Sequence, residues 1–484
     1  MLRRRKDQKS QEVRKDDTER RDDVQGLFKF GVGSLGNLRE QLLADLSNEQ
    51  FAVLLGRTER VEDLEIVNVL EIRRFERHDL QGQSQAFIGI RKEKIAEILL
   101  DMARRIDVDT IIDVHTHPFS RRSAFFSGTD DADERGFVRY LHEEFPGISY
   151  GSVVFSREEY SARLWRLSED ALPVSVPAIL KTPTPSDEIF PSEFTLGKRV
   201  KGGHTFEAED SQFNRSVLAL GLDAMRRITA SRTITVVGAG GLGSIVAENL
   251  VHNGFGRLHL IDHDTLSVSN MNRIVGASMK DAKAGRLKVE CLKEHLEGIN
   301  PEAKIFAHPH FVSEPSLERL FAESDWVFLC TDNQSSRLLV QNLCLKYSTP
   351  LVSVGVNITV ENGDVTDVSG EVITIRPGDN LCLSCLGRLD PATIARETHF
   401  DPHIREQLVT RGYVQGADVK EPAVKTLNSM LANIAVDVLI NQFTERQEHR
   451  AIWVYENNTG PCIYPDLESI AERARRCACN RECI

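Results

Sequence analysis

The stretch Thr233–Gly243, TITVVGAGGLG, decides the fold of the second half of this chain. Five residues rich in β-branched side chains lead into four glycines, and an apolar segment then runs to about His252, which is typical of a buried parallel strand, a tight turn and a helix. Leu258–Ile261 predicts the next strand, which ends at Asp262. Because strands that alternate with helices build βαβ units, the sequence predicts a doubly wound α/β sheet.

The alternation continues downstream of this stretch. Helices are predicted at 287–296 and 336–346, and strands at 326–329 and 351–354. The second half is therefore predicted as a Rossmann-like domain over residues 206–484.

Upstream, residues 26–175 predict an α+β domain. The predicted elements are a helix at 38–46, an apolar run at 51–55, a strand at 66–72, a helix at 95–105, a buried strand at 111–115, and closing strands at 153–155 and 162–167. Five prolines fall between residues 173 and 194, so residues 176–205 are predicted as a linker or a packed extended arm. Residues 1–25 carry nine Lys/Arg and seven Asp/Glu with almost nothing apolar, which predicts a disordered tail.

The composition excludes several classes of protein. The chain has 484 residues, and a prior of about 150 residues per domain predicts roughly two to four domains. A formal net charge of −12 argues against broad binding to the phosphate backbone of nucleic acids. No apolar run approaches the ~20 residues of a membrane span, and the start lacks the apolar core of a secretory signal. All nine cysteines lie after residue 290, so we expect reduced thiols, a metal site and a cytoplasmic location.

A histidine pair follows the predicted strand of residues 111–115. His115 and His117 project to the same side of an extended chain, because the side-chain period of a strand is two. Asp130, at the start of a predicted helix, completes a His-His-Asp set, and three protein ligands with one open position are typical of catalytic zinc. Glu49 is a candidate general base for the zinc-bound water. The alternative is a histidine pair that only forms hydrogen bonds.

These residues resemble the JAB/JAMM (MPN-type) metalloproteases, which have a cytidine deaminase-like fold. The resemblance rests on Glu49 with Gly56, on His-Thr-His-Pro, and on the Ser-x-x-Asp that ends at Asp130. It implies a zinc peptidase or isopeptidase acting on ubiquitin-like proteins, with ligands His115, His117 and Asp130. Glu49 would move the proton of the attacking water, and Ser127 would stabilise the oxyanion. Twelve residues separate His117 from Asp130, where the family pattern has ten, so the geometry of this loop departs from the family.

The glycine-rich turn of the second half is suited to a phosphate group. Its glycines let backbone N–H groups at a helix N-terminus approach a phosphate, and Asp262 stands where a ribose-binding carboxylate belongs. These features alone fit a dinucleotide oxidoreductase as well as an ATP site. Arg273, Lys288 and Asp332 favour ATP, since a triphosphate and its magnesium need cationic side chains and an acidic ligand.

The order of these residues resembles the ThiF/MoeB/ubiquitin-activating family of adenylyltransferases. The resemblance implies that the C-terminal carboxylate of a ubiquitin-like or sulfur-carrier protein attacks the α-phosphorus of ATP and releases pyrophosphate. It also implies a homodimer, in which an arginine reaches the ATP of the neighbouring subunit. The implied roles are a phosphate loop of Gly238, Gly240, Gly241 and Gly243, ribose binding by Asp262, phosphate binding by Asn270, Arg273 and Lys288, magnesium binding by Asp332, and catalysis across the dimer by Arg215.

The cysteines predict a structural zinc site and leave the acyl acceptor open. Cys382 and Cys385 form a Cys-x-x-Cys element, and Cys479 and Cys483 are the predicted distant partners, with Cys477 close by. Redox activity is the alternative for the Cys-x-x-Cys pair. Residues 386–425, where ubiquitin-activating enzymes commonly carry an acceptor cysteine, contain none. Cys291, Cys330 and Cys344 are predicted to be small buried hydrophobic residues, which leaves Cys462 and a spare terminal cysteine as weak candidate acceptors.

The sequence therefore predicts a bifunctional enzyme of a ubiquitin-like pathway. One half would process or deconjugate the modifier and the other would adenylate its C-terminus, with a conjugating enzyme as a further partner. Two alternatives stay open at this point: activation of a sulfur carrier for thiocarboxylate formation, and a non-catalytic scaffold that binds ubiquitin-like folds.

Overall fold

A computed structural model describes most of the chain. The described residues are 25–84, 87–168, 170–196, 211–230, 232–398 and 422–469. The predicted disordered tail lies outside them except for Gln25. Among the described residues, no helix has the length and apolar character to span a membrane.

The first half forms a β-rich unit. Its strands are β1 (Gly26–Lys29), β2 (Phe51–Val61), β3 (Leu64–Arg74), β4 (Leu80–Ser84), β5 (Phe87–Ile90), β6 (Thr110–Thr116), β7 (Ser149–Phe155), β8 (Glu159–Leu167), β9 (Pro173–Lys181) and β10 (Phe190–Pro191). Its helices are α1 (Ser34–Leu42), α2 (Lys92–Met102), α3 (Gly128–Glu144) and the short α4 (Glu193–Leu196). The main sheet has the order β10-β8-β7-β6-β2-β3-β1-β9, and β9 also pairs with β8, so the sheet curls back on itself. Strands β4 and β5 form a separate hairpin.

Part of the proline-rich segment belongs to this sheet. Residues 176–181, predicted as the beginning of a linker, lie in β9, which pairs with β1 in parallel and with β8 in antiparallel orientation. Ala178 and Leu180 alternate along this strand and are buried in the core of the first unit. Because of this alternation, the segment forms a strand of the sheet.

The second half is an α/β unit built on a mixed sheet. Its strands are β11 (Thr233–Val237), β12 (Arg257–Ile261), β13 (Lys304–His308), β14 (Trp326–Leu329), β15 (Leu351–Glu361), β16 (Asp364–Ile375), β17 (Ile452–Glu456) and β18 (Cys462–Pro465). Its helices are α5 (Asn214–Leu220), α6 (Leu222–Thr229), α7 (Gly241–His252), α8 (Met279–Ala284), α9 (Lys288–Ile299), α10 (Glu318–Glu323), α11 (Gln334–Lys346), α12 (Pro391–Glu397) and α13 (Lys425–Thr444).

The sheet of this unit has the order β13-β12-β11-β14-β15-β16-β17-β18. The pairings from β13 to β15 are parallel, and those from β15 to β18 are antiparallel. The predicted parallel α/β sheet is confirmed for the first five strands. The antiparallel extension was not predicted, because the residues near the turn of its long β15–β16 hairpin are exposed or half-buried and lack the apolar run of a buried strand.

The glycine-rich turn joins β11 to α7 as predicted. Every residue of β11 is buried, as expected for a central parallel strand. Gly238 has a φ of +92°, which a residue with a side chain adopts only under strain. A Cβ on Gly243 would lie 1.7 Å from the carbonyl oxygen of Gly238, so only glycine lets the helix pack this closely on the turn.

The two units share an apolar core. Leu27 and Ile66 of the first unit lie in one cluster of buried side chains with Phe321 and Tyr347 of the second. Ion pairs flank this cluster: Lys181 with Asp325, Arg232 with Glu188, and Arg319 with Asp63. The apolar contact and its polar border hold the units together.

Lys29 is a buried cation at this shared interface. It is 3% exposed, and its Nζ donates a hydrogen bond of 2.6 Å to Thr349 Oγ1. Burial lowers the pKa of Lys29 to about 7, and the charge of Lys181 acts in the same direction. Asp325 and Glu323, whose charges favour the protonated form, only partly offset the burial.

Stability is therefore expected to rise with pH through this group. Below pH ~7 Lys29 is protonated in both the folded and unfolded states, so the cost of burying its charge is fully present. Above that pH the folded protein releases the proton while the unfolded chain keeps it up to its ordinary pKa near 10.5. The free energy of unfolding of the wild type, relative to that of Lys29→Met, should increase by about 1.4 kcal/mol per pH unit between pH ~7.5 and 9. Urea unfolding at several pH values measures this, with the partly exposed Lys94→Met as control. Parallel pH profiles for wild type and Lys29→Met would contradict the prediction.

Candidate active sites

The histidine pair lies at the carboxyl end of β6. This strand pairs with β2 and β7 and is largely buried, so the neighbouring strands hold the backbone that leads to the two histidines. His115 and His117 are both buried, and their ring centroids lie 5.1 Å apart. Burial lowers the pKa of His115 to about 4, which keeps its imidazole neutral and able to bind a metal.

Asp130 is brought to this pair by the start of α3. Ser127 caps the helix: its Oγ accepts a hydrogen bond from the backbone N–H of Asp130, and Asp130 Oδ2 accepts one from the N–H of Ser127 at 2.6 Å. The other carboxylate oxygen, Oδ1, lies 3.8 Å from His115 Nε2. The cap thus aims one oxygen of Asp130 at the histidines.

The donor set fits a metal ion. Ligand atoms of His115, His117 and Asp130 all lie within 4.8 Å of one another. His115 Nε2 and His117 Nδ1 are buried without a hydrogen-bond partner among the described residues. Two neutral imidazoles and a carboxylate around a common point are the ligand set of a catalytic zinc, and a bound cation would satisfy the buried nitrogen of His115.

Glu49 faces the same point from the start of β2. It is 5% exposed, and its Oε1 lies 3.8 Å from His117 Nε2. Burial, with the charge of Asp130 second, raises the pKa of Glu49 to about 7. A carboxyl group that titrates near neutral pH is suited to taking and returning a proton.

The β4–β5 hairpin holds Glu49 in place. The backbone N–H of Glu49 donates a hydrogen bond to the carbonyl of Ser84 at 2.9 Å, and the carbonyl of Glu49 accepts one from Gln83 Nε2 at 2.8 Å. Sequence reasoning missed this hairpin, because its residues show neither a long apolar run nor a recognisable turn pair. Gln83 and Ser84 carry no signal that links them to Glu49.

Aromatic rings surround the mouth of this site. Phe119 stacks on His117 with centroids 5.1 Å apart, and Phe125 meets the same ring edge-on at 5.4 Å. Phe194 of α4 lies 5.8 Å from Phe125. The loop between His117 and Asp130, two residues longer than the family pattern, supplies Phe119 and Phe125, and the same loop is tied to Glu158 by Arg121 and its neighbour Arg122.

A second site lies in a cavity of about 2220 Å³ at the carboxyl ends of β11, β12 and β14. This edge is where ligands bind in open α/β sheets. Predicted residues that line the cavity are Gly238, Gly240, Gly241, Asp262, Asn270, Arg273, Lys288 and Asp332. Gly243 is not part of the lining and acts in packing, whereas Arg215 lies exposed on α5, away from the lining.

Asp262 is fixed against the glycine-rich turn. Its Oδ2 accepts a hydrogen bond of 2.7 Å from the N–H of Ala239, and its Oδ1 accepts one of 2.8 Å from the N–H of Asp264. Lys288 Nζ lies 2.6 Å from Asp264 Oδ2 and 3.9 Å from Asp262 Oδ2. The lysine is therefore held beside the carboxylate predicted to bind ribose, at the base of α9.

The other predicted polar residues of the cavity come from the loops that follow β12 and β14. Arg273 Nη1 donates to the carbonyl of Ser269 and to Asn272 Oδ1, both at 2.9 Å. Asn270 Oδ1 accepts from the N–H of Ser267 at 3.0 Å and caps a short 3₁₀ turn. Asp332 lies in the loop that follows β14, is exposed and lines the cavity.

Three contributors to this cavity were missed in the sequence. Glu397 of α12 accepts hydrogen bonds from the N–H groups of Gln334 and Ser335 at the start of α11. Phe311 stacks on His263 with centroids 3.6 Å apart. Asn428 reaches the cavity from α13. All three come from chain segments distant from the motifs, and no local pattern marks them.

The cysteine predictions meet the structure only in part. Cys382 is buried, and its Sγ accepts a hydrogen bond of 3.3 Å from the backbone N–H of Cys385. The predicted partners Cys479 and Cys483, with Cys477, lie outside the described residues, so the four-cysteine zinc site stays a prediction. The predicted burial of three further cysteines is confirmed: these are Cys291, Cys330 and Cys344.

Comparisons with known proteins match both halves of the chain to families. Residues 213–480 match the model of the ThiF family, and residues 33–168 match the model of prokaryotic homologs of the JAB domain. The chain is 36% identical over 185 residues to the molybdopterin-synthase adenylyltransferase of Escherichia coli, an alignment that covers 38% of this chain and 70% of that protein.

Two further relatives align with part of the chain. One is the tRNA threonylcarbamoyladenosine dehydratase of Bacillus subtilis, 34% identical over 143 residues, with 29% of this chain and 55% of that protein covered. The other is ubiquitin-like modifier-activating enzyme 5 of Xenopus laevis, 32% identical over 183 residues, with 34% of this chain and 44% of that protein covered. The chain thus spans about half the length of these two relatives. Since the match to the family model covers more than half of its residues, the chain belongs to the ThiF family and carries a JAB domain before its ThiF region.

Proposed function

We propose that the ThiF region adenylates the C-terminal carboxylate of a ubiquitin-like or sulfur-carrier protein. The observation that carries this proposal is the placing of Arg273 and Lys288 in one cavity with the glycine-rich turn and Asp332. A carboxylate oxygen of the substrate attacks the α-phosphorus of ATP. The bond between the α-phosphorus and the oxygen that bridges it to the β-phosphate breaks, and pyrophosphate leaves. Cationic groups that neutralise charge on the phosphates are what this reaction needs from the protein.

Different residues of the cavity bind different parts of the nucleotide in this proposal. Asp262, oriented by the turn, accepts from the ribose, and the N–H groups at the start of α7 face the phosphates. Arg273, Lys288 and Asn270 bind phosphate oxygens. Asp332 would hold the magnesium that enters with ATP. The names of the aligned relatives, an adenylyltransferase and a ubiquitin-like modifier-activating enzyme, support this class of reaction.

We further propose that the JAB domain is a zinc peptidase or isopeptidase. His115, His117 and Asp130 would hold the ion, which when bound makes a water molecule acidic. Glu49 would take a proton from the attacking water and return it to the leaving amine. Ser127 keeps Asp130 in position through the helix cap and donates its hydroxyl toward the oxyanion.

One of the two proposed reactions forms the carboxylate that the other consumes. Cleavage of a precursor or conjugate leaves a free C-terminus on the modifier, and adenylation consumes that C-terminus. Because both sites are on one chain, the product of the first is at high local concentration near the second.

The test uses the full-length protein with a candidate ubiquitin-like or sulfur-carrier protein. We expect exchange of labelled pyrophosphate into ATP that depends on the partner's free C-terminal carboxylate, and cleavage of a C-terminally extended precursor. A partner with an amidated C-terminus is the control and should support no exchange. Absence of exchange with every such partner, in folded protein that binds ATP, would overturn the adenylation proposal.

The fate of the adenylate defines the second candidate. Residues 386–425 contain no cysteine, which favours direct transfer of the activated carboxylate to a sulfur donor over transfer to an acceptor cysteine of this segment. Mass spectrometry of the partner after incubation separates a thiocarboxylate from a conjugate made with a conjugating enzyme. A non-catalytic scaffold, the remaining alternative, predicts neither product nor bound zinc. Catalysis by Arg215 across a homodimer remains part of the proposal and is tested by sedimentation of the protein with ATP.

A further inference from the structure

Arg163 of β8 is the centre of a buried polar cluster behind the candidate metal site. Its side chain is 11% exposed and forms ion pairs with two carboxylates of α3. The Nη1 group lies 2.6 Å from Asp131 Oδ1, and Nη2 lies 2.8 Å from Glu134 Oε1. The Nε group donates to Glu134 Oε2 at 2.9 Å. One guanidinium therefore binds two consecutive turns of the same helix.

Glu134 is held from the sheet as well as by Arg163. Its Oε2 accepts hydrogen bonds of 2.6 Å from Ser152 Oγ on β7 and from Trp165 Nε1 on β8. The side chain of Glu134 is only 6% exposed, so each of these contacts is shielded from water. A buried carboxylate with several donors fixes its helix far better than an exposed ion pair does.

This cluster sets the position of Asp130. Asp130 and Asp131 are neighbours in the first turn of α3, so the contact of Arg163 with Asp131 anchors the turn that carries the candidate ligand. Glu134 anchors the next turn. The helix cap at Ser127 then orients the Asp130 carboxylate relative to this anchored helix.

The same guanidinium also reaches toward His115. The Cζ atom of Arg163 lies 3.7 Å from the ring centroid of Phe126, and that ring meets the imidazole of His115 edge-on at 6.3 Å. Phe126 directly precedes Ser127 in the chain. The ring of Phe126 is therefore packed between Arg163 and the candidate ligand His115. It lies just before α3, the helix that carries the candidate ligand Asp130.

We infer that Arg163 is a positioning residue that sets the distance between His115 and Asp130, two ligands that come from different elements of the fold. The inference rests on the proposed metal site and adds to it a group that touches neither metal nor substrate. Outer groups of this kind typically change metal affinity about 10–100-fold when altered. Lysine keeps the positive charge beside Glu134 but cannot bind Asp131, Glu134 and the Phe126 ring together.

The test is the zinc affinity of Arg163→Lys, measured by competition with a chromophoric chelator. Arg166→Lys is the matched control, because Arg166 lies on the same strand and binds Gln25 and Glu65 at a distance from the ligands. We expect the zinc dissociation constant of Arg163→Lys to rise about tenfold and that of Arg166→Lys to stay unchanged. The Co²⁺-substituted Arg163→Lys protein should also show an altered d–d spectrum, which loss of stability alone would not produce.

A His115→Ala reference separates the failure of this inference from that of the proposed function. Zinc retained by that variant belongs to other sites, including the predicted cysteine site. If wild type and His115→Ala bind the same amount of zinc, the proposed metal centre is wrong. If the wild type binds one more zinc than His115→Ala does, but Arg163→Lys and Arg166→Lys have equal affinities for zinc, the positioning role is wrong. Phe126→Leu, which leaves every ion pair intact, gives the same test should Arg163→Lys fold poorly, and it should weaken zinc binding in the same direction.

Discussion

Asp332→Ala is expected to lower partner-dependent pyrophosphate exchange by about 1000-fold or more, equivalent to about 4 kcal/mol of transition-state stabilisation. Asp332 follows β14 at the edge of the nucleotide cavity and is the proposed magnesium ligand. Asp332 would hold the magnesium ion that, when bound, neutralises charge on the leaving pyrophosphate, so its loss should slow this step. Exchange of labelled pyrophosphate into ATP measures the loss, at saturating magnesium and partner concentrations.

Asp364→Ala is the matched control for this change. Asp364 begins β16 in an exposed hairpin and does not line the nucleotide cavity, so its removal should leave exchange unchanged. Cleavage of an extended precursor should be normal in both variants, because the candidate zinc site belongs to the other unit. Exchange that survives in Asp332→Ala would contradict the proposal that this residue binds magnesium.

His115→Ala is expected to have the reverse effect. Loss of one of the three proposed ligands should remove the proposed catalytic zinc and reduce precursor cleavage by about 1000-fold or more. Pyrophosphate exchange should persist at the wild-type rate. Metal analysis of the purified protein, together with a cleavage assay by mass spectrometry, measures both consequences.

His142→Ala provides the comparison for that experiment. His142 is an exposed residue near the end of α3, far along the helix from Asp130, and its removal should affect neither zinc content nor cleavage. A chelator should inactivate cleavage in His142→Ala as it does in the wild type. If chelation leaves cleavage intact while His115→Ala abolishes it, the histidine acts without a metal and the zinc mechanism is wrong.

The sequence predicted those parts of both sites that are local in the chain. The run Thr233–Val237 with its glycines specifies strand, turn and helix by short-range rules, and the His115/His117 pair follows from the alternation of a strand. Asp130 was found because its helix cap is itself a short sequence pattern. In each case one segment carries its own physical signal.

The parts that could not be predicted depend on contacts between distant segments. Arg163 binds carboxylates about thirty residues away, at sequence separations of 32 and 29, and nothing in its own neighbourhood marks it. Glu397 meets Gln334 at a separation of 63. Strand β9 was read partly as a linker because prolines interrupt a pattern that only the neighbouring strands complete. Tertiary packing decided each of these positions.

The core shared by the two units has a consequence for attempts to use either half alone. Cutting the chain after residue 196 would expose Leu27 and Ile66 on one fragment and Phe321 and Tyr347 on the other, together with the buried lysine between them. Newly uncovered apolar surface of this kind promotes self-association. Neither fragment is suited to protein engineering without further changes. Each would need polar substitutions on its newly exposed face before it could be fused to another protein.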